Sequence, residues 1–279
     1  MADLTFPPLP LEAWQPTRDS LNNYARVLGK IRQSLTPPQS HWWHVSLRVA
    51  EEGLTTTEMP GNEETDDTLE IKLDLVRQMV VASTGSNQRW AMPLSGQPAK
   101  LLADSLLLKL VQWDIYPEVD RSIFVTESAG AYDAAAAGTF LHALTSVHTV
   151  FQTFKAELDG RTSPVQIWPH HFDLSLVWFS GNLVPGVDPT DEEYADEQMA
   201  FGFSTGDEGI PEPYFYVTAY PWPAAITQAT LPAPATWYTE SWKGALLRYG
   251  DLVNAADPGA LLQAYLTAAH AAGSALMLD

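Results

Sequence analysis

An imidazole and a carboxylate two residues apart offer the first chemistry in this chain. The segment is Ser163-Pro164-Val165-Gln166-Ile167-Trp168-Pro169-His170-His171-Phe172-Asp173-Leu174-Ser175-Leu176-Val177-Trp178-Phe179. Strand side chains alternate, so an extended reading sends Phe172, Leu174, Leu176 and Trp178 to one face and His171, Asp173 and Ser175 to the other. A carboxylate beside His171 can fix its tautomer and leave the second ring nitrogen as a base or metal ligand. The plainer outcome of the same spacing is a structural hydrogen bond. His170, after Pro169, falls at the strand entry without a chemical role.

Two other segments carry similar promise. In His41-Trp42-Trp43-His44-Val45-Ser46-Leu47-Arg48, an extended reading groups Trp42, His44, Ser46 and Arg48 on the polar side, and Arg48 could fork onto a ligand carboxylate. His41 and His44, three apart, then point to opposite sides, which disfavours a joint metal site. In Pro211-Glu212-Pro213-Tyr214-Phe215-Tyr216-Val217-Thr218-Ala219-Tyr220, the tyrosines share one face. A row of phenols makes an apolar wall with hydroxyl tips, suited to stacking on a small organic body. Cross-strand aromatic packing is the plain alternative. Glu212, between two prolines at the strand entry, is the best-placed lone carboxylate for acid–base work.

The candidate catalytic residues are therefore His171, Asp173, Glu212 and His44, with Trp42, Arg48, Tyr214 and Tyr216 as ligand-binding residues. No metal is required. If one is held, His44, His171 and Asp173 (or Glu212) supply the ligands that zinc, manganese or iron accept. The first function class is binding or conversion of a small polar or aromatic molecule in a His/Tyr/Trp-lined cleft. The alternatives are a metal-dependent hydrolase and a non-catalytic interaction or scaffold protein. No nucleophile elbow, Walker loop or His-Glu-x-x-His helix is present. Gly206 and Gly209 flank Asp207 and Glu208, whose charge would repel phosphate. The cofactor and the oligomeric state stay open.

The elements that must position these residues follow from periodicity. A helix opens at Pro16-Thr17 with Thr17 as cap, carries Leu21, Tyr24, Ala25, Leu28 and Ile31 on one stripe, and stops at Pro37-Pro38. His41 to Val49 reads as a strand, Glu51 to Asp67 as an acidic loop. Glu70 to Leu75, Val76 to Ala82 and Gln88 to Leu94 read as antiparallel strands, the last two joined by a turn at Thr84-Gly85-Ser86-Asn87. A helix runs from Pro98 to about Trp113, and Ser122 to Thr126 is a short strand. Asp133 caps a third helix whose stripe is Phe140, Leu144, Val147, Phe151, Phe154 and Leu158. After an acidic loop at Gly181 to Gln198 come strands at Met199 to Ser204 and Tyr214 to Tyr220, then a linker-like stretch from Pro221 to Ala235. Helices at Thr239 to Tyr249 and from Pro258 to about Met277, with Asp257 as cap, close the chain.

Adjacent strands rather than strict strand–helix alternation favour α+β: a largely antiparallel sheet with helices packed on one side. The expectation is one domain over residues 1–279, with a pseudo-two-lobed form of halves 1–130 and 131–279 as the variant. The 279 residues include 10 Trp, 10 Tyr and 10 Phe, enough apolar surface for a large core. With 15 basic against 34 acidic residues the net charge is −19, which disfavours nucleic acid and anionic membranes as partners. The absence of cysteine excludes disulfides and thiolate chemistry. The N-terminus lacks a signal-peptide pattern and no apolar run spans a bilayer, so the expected location is cytoplasmic.

The order His41-Trp42-Trp43-His44-Val45, Ser163-Pro164-Val165, Phe172-Asp173-Leu174, Phe201-Gly202-Phe203 and Pro211-Glu212-Pro213-Tyr214-Phe215-Tyr216 resembles a bacterial family of uncharacterised proteins. Leu9-Pro10-Leu11-x-x-Trp14 and Leu54-Thr55-Thr56 extend the likeness over almost the whole chain. The resemblance implies one soluble bacterial domain and transfers no catalytic residue. The acidic stretches at 51–67 and 186–198 are where departures from relatives are expected.

Overall fold

The computed structural model describes residues 4–62, 64–124 and 130–277. Its elements in chain order begin with helix α1 (Leu11–Leu35) and strands β1 (Arg48–Ala50), β2 (Gly53–Thr55), β3 (Met59–Pro60), β4 (Thr68–Asp74), β5 (Met79–Thr84) and β6 (Arg89–Pro93). Helices α2 (Ala99–Val111) and α3 (Ala134–Glu157) follow. Then come β7 (Arg161–Thr162), β8 (Gln166–Trp168), β9 (Asp173–Leu183), β10 (Asp196–Ser204), β11 (Tyr214–Tyr220), β12 (Thr236–Tyr238), β13 (Gly244–Arg248), α4 (Tyr249–Val253) and α5 (Pro258–Met277). The fold is α+β, with two largely antiparallel sheets in place of the one expected.

The chain divides into two compact units. The C-terminal unit comprises Met1–Ala13, His142–Gln166 and Asp173–Asp279; the N-terminal unit comprises Trp14–Leu141 and Ile167–Phe172. In the N-terminal unit the sheet order is β1-β2-β4-β5-β6, with β3 on β4. Alternation in β4 does what its sequence dictates: Leu69, Ile71 and Leu73 are buried, while Lys72 reaches Glu70 at 3.4 Å. The turn after β5 is held by the Asp67 carboxylate, which accepts from the Ser86 backbone N–H at 2.9 Å.

In the C-terminal unit the strands run β12-β13-β11-β10-β9-β7. Cross-strand register places Ser175, Gly202, Tyr216 and Leu246 in one row, with Phe203 paired to Leu174 and Phe215 in the next. One face is thus apolar: Leu174, Leu176, Trp178, Phe201, Phe203, Phe215 and Leu247 are all buried. Phe154 of α3 meets Phe201 ring to ring at 4.9 Å. α5 lies so close to β10 that a Cβ on Gly273 would overlap the Met199 side chain. The opposite face, carrying Asp173, Ser175, Gly202, Ser204, Tyr214 and Tyr216, is the polar one.

Capping behaves as expected at two helices. The Asp133 carboxylate accepts from the backbone N–H of Ala135 and Ala136 at 2.7 and 3.2 Å, and Asp257 accepts from Ala260 at 2.9 Å. Four expectations are corrected. α1 starts at Leu11, with Pro16 inside it, because Leu11 and Trp14 find burial on the earlier turns. Thr17 instead accepts the Asp133 N–H at 2.9 Å. The segment Ser40–Val45 is a 3₁₀ turn in which His41 and Trp42 have φ of 54° and 59°, so only Arg48–Ala50 is extended. The helix expected over Thr239 to Tyr249 does not form before Tyr249, and Gly244–Arg248 is strand instead: Ala245, Leu246 and Leu247 are all buried and pair with β11, and a Cβ on Gly244 would overlap the Val217 carbonyl. The strand expected over Ser122 to Thr126 falls partly on Val125 and Thr126, outside the described residues; Arg121–Ile123 form a 3₁₀ turn.

Candidate functional site

In the C-terminal unit, β9, β10 and β11 bring a carboxylate and two phenols together. Tyr216 donates its hydroxyl to Asp173 Oδ2. The ring reaches across β10 only because the residue opposite it is glycine: a Cβ on Gly202 would overlap the Tyr216 ring. Asp173 and Ser175, two apart on β9, are both buried. Next to them Tyr214 donates to Asp207 Oδ2 at 2.5 Å. Asp207 is itself fixed by its loop, since its Oδ1 accepts the backbone N–H of Gly209 and Ile210 at 2.7 and 2.9 Å.

Electrostatics follow from this placement. Burial, then the negative charge of Asp173, holds the Tyr216 hydroxyl well above the usual phenol value. Burial and the Asp207 hydrogen bond raise Tyr214 likewise. Both phenols are therefore proton donors, and neither is a base at neutral pH. Ile210, Tyr214 and Leu246 form a small apolar cluster against which Tyr216, Tyr238 and Trp242 pack half-buried. Trp242 lies 4.7 Å from Tyr238 and stacks on Tyr214 at 6.2 Å, ring centre to ring centre. The result is a polar strand face beside a ladder of aromatic rings.

The N-terminal unit carries a cluster of opposite character. Arg32 lies four residues beyond Leu28 on the buried stripe of α1 and is 6% exposed. Its Nε donates to the His44 carbonyl at 3.1 Å and its Nη1 to Thr57 Oγ1 at 2.9 Å. Arg48 donates to Ser46 Oγ at 2.7 Å and to the Leu47 carbonyl at 3.3 Å. Burial, and secondarily the charge of Arg32, lower the Arg48 guanidinium to about 10. His44 is buried, its Nδ1 accepting the Gln39 N–H at 3.1 Å, and Trp42, 50% exposed, stacks over its ring at 5.5 Å.

Of the eight nominated residues, Asp173, Tyr214 and Tyr216 come together in the C-terminal unit, and Trp42, His44 and Arg48 belong to the Arg32 cluster of the N-terminal unit. The His171–Asp173 pair does not form as read. Phe172 has φ of 57°, which breaks the alternation; His171 is exposed with its ring on His170 at 4.4 Å, while Asp173 takes Tyr216. The shared face of Trp42, His44, Ser46 and Arg48 is lost with the 3₁₀ turn. Glu212 forms a surface ion pair with Arg248 of β13, the kind of pair worth about 0–1 kcal/mol. Among the described residues no group of three His, Asp or Glu side chains could hold a metal ion, so the ligand set of His44, His171 and Asp173 is not assembled.

Three contributors escaped the sequence reading. Arg32 had a signal, a cation four residues after Leu28 on an apolar stripe. Asp207 followed a glycine with φ of 103°, and Gly202 sat inside the quoted Phe-Gly-Phe segment.

Fold and clusters together define a two-sheet α+β protein with ionisable side chains buried inside each unit. Among the described residues no helix is long and apolar enough to cross a membrane. The chain belongs to DUF5996, a family of unknown function that it matches over residues 6–277, in agreement with the resemblance to an uncharacterised family. No curated protein and no solved structure matches it.

Proposed function

We propose that this protein binds a small polar or aromatic molecule on the polar face of β9–β11. The observation that supports this most is the Tyr216 hydroxyl held on buried Asp173 across Gly202. A carboxylate taken out of water is costly unless it is hydrogen-bonded, and nothing in strand pairing requires one here, since the apolar face already packs the sheet. Asp173, Ser175, Ser204 and the two phenols supply acceptors and donors for a ligand bearing hydroxyl or amine groups, and Tyr238 and Trp242 supply a wall on which a flat body stacks. For a conversion, Asp173 would take a proton and Tyr216 would hydrogen-bond the oxygen on which charge develops.

Titration of the purified chain with a panel of sugars, polyols and flat amines, followed by thermal shift, tests this. At least one saturable ligand is expected, bound tenfold or more weakly by Asp173→Asn and Tyr216→Phe proteins whose circular dichroism matches the parent. Ligands that bind both variants as tightly as the parent would refute it.

A further inference from the structure

We propose that the N-terminal unit presents a docking surface for an acidic segment of a partner protein, formed by Arg26 and Lys30 of α1 with the exposed imidazoles of His170 and His171. It uses no residue of the β9–β11 face and stands or falls apart from it.

One close contact assembles the surface, and all its residues belong to the N-terminal unit. Asn22 Nδ2 donates to the Pro169 carbonyl at 2.6 Å, and a Cβ on Gly29 would come within 2.6 Å of the Pro169 ring. Residues 22, 26, 29 and 30 fall on one side of a helix. Pro169 is therefore seated along α1 between Asn22 and Gly29, with Arg26 between those two anchors and Lys30 beside the second. His170 follows directly, its ring packed against His171 at 4.4 Å and Trp168 at 5.8 Å, centre to centre. Arg26, Lys30, His170 and His171 are all exposed.

The charge of this surface is one-sided. After Asp19, which Arg18 holds at 2.6 Å, α1 has no further acidic residue, while Arg26, Lys30 and Arg32 follow. Arg26 makes no hydrogen bond or ion pair with a described residue, and Lys30 donates to the neutral Gln33 Oε1 at 2.9 Å. Burial of part of its ring, then the positive charges of His171, Arg26 and Lys30, keep the His170 imidazole below its ordinary pKa, in agreement with the contacts at Pro169. Like charges four apart on a helix repel, and both cations precede the last turn, where the helix dipole would favour them. Local stability gives no reason for the arrangement. In a chain of 34 acidic and 15 basic residues a positive patch is the exception, and complementary charge steers and registers a partner.

The spacing indicates an extended peptide. Arg26 and Lys30 are one turn apart, about 6 Å along the helix axis. Alternate side chains of an extended segment repeat at about 6.6 Å on one side. Acidic residues at every second position of such a segment would meet the two cations in turn, with the imidazoles alongside.

The test titrates the full chain with a dye-labelled peptide of alternating glutamate and serine, read by fluorescence anisotropy, beside the same peptide with glutamine in place of glutamate. Saturable binding of the glutamate peptide alone is expected, weakening as sodium chloride is raised. Arg26→Glu and Lys30→Glu lie on the exposed side of α1 and leave its buried stripe intact; together they should weaken binding about tenfold or more. In the parent protein the imidazole resonances of His170 and His171 should move as peptide is added, and the His170 pKa should rise, because a nearby carboxylate favours the protonated ring. Absence of saturable binding, equal binding of the glutamine peptide, binding retained by the double variant, or histidine resonances that stay in place would each overturn the proposal. So would salt-dependent self-association of the parent chain that the double variant abolishes, since the surface would then belong to a second copy.

Discussion

In the C-terminal unit the buried hydrogen-bond donor is a neutral phenol and the charge sits on the carboxylate that accepts it. In the N-terminal unit the donor carries the charge, and the acceptors around Arg32, a carbonyl and a hydroxyl, are neutral. Desolvation acts on both and moves them in opposite directions: the Tyr216 hydroxyl is pushed up, the Arg48 guanidinium down to about 10. Burial always disfavours the ionised form, so it makes a tyrosine a more persistent donor and an arginine a more expensive one. The phenol–carboxylate pair carries its own partner, which suits a face that adds hydrogen bonds to a ligand.

Three sets of substitutions break or sharpen this contrast. The largest effect is expected at Gly202, where an added Cβ must displace the Tyr216 ring. Gly202→Ala should cost about 2–3 kcal/mol of stability in urea unfolding, the upper part of the roughly 1–3 kcal/mol usual for overpacking. Paired with Tyr216→Ala, which removes the clashing ring, the cost should fall, giving a coupling of at least about 1 kcal/mol. Additive effects would mean that Gly202 is not there for Tyr216.

A smaller difference is expected between the two clusters themselves. Tyr216→Phe deletes a hydrogen bond to a carboxylate and should cost about 1.5–3 kcal/mol. Arg32→Met removes a buried cation held by neutral oxygens, replaces its aliphatic stem, and should cost about 1 kcal/mol, because the lost hydrogen bonds are offset by relief of desolvation. If denaturation shows Arg32→Met to be the more damaging change, the contrast is the wrong way round.

The smallest effect is set by pH. His270 of α5 sits among Phe154, Trp178 and Phe201 with its Nε2 lacking a hydrogen-bond partner among the described residues, and burial lowers its pKa below the ordinary 6.5. The folded state resists the proton that the unfolded chain accepts. Its contribution is therefore complete above pH 6.5 and declines as pH falls below it. His148 and His170 shift in the same direction. His270→Leu should reduce, without abolishing, the slope of stability between about pH 6.5 and 5. An unchanged slope would show that the imidazole is readily protonated in place.

How much of this was legible in the sequence depended on whether local pattern or tertiary pairing decided the outcome. The stripe Phe140 to Phe154, the Asp133 and Asp257 caps and the alternation of β4 are local signals, and the structure keeps them. The tyrosine face of β11 was read correctly, because period two held throughout that strand. Parity failed wherever one residue left extended geometry. Phe172 at φ 57° separates His171 from the face of Asp173, and His41 and Trp42 fold a predicted strand into a turn. Nothing in those side chains announces a left-handed backbone, which the surrounding structure must impose. β13 failed for a different reason: its helical spacing was overridden by pairing with β11. The Asp173–Tyr216 partnership lies 43 residues apart in sequence, and only the register across Gly202 reveals it.

The most direct measurement is a crystal structure of the parent protein soaked with the tightest ligand from the titration panel. The account predicts that ligand in density on the β9–β11 face, with a hydroxyl or amine group in hydrogen-bonding distance of Asp173 and Tyr216 and its body against Trp242. Density for the same ligand elsewhere, with the Tyr216–Asp173 pair undisturbed and unvisited, would contradict it.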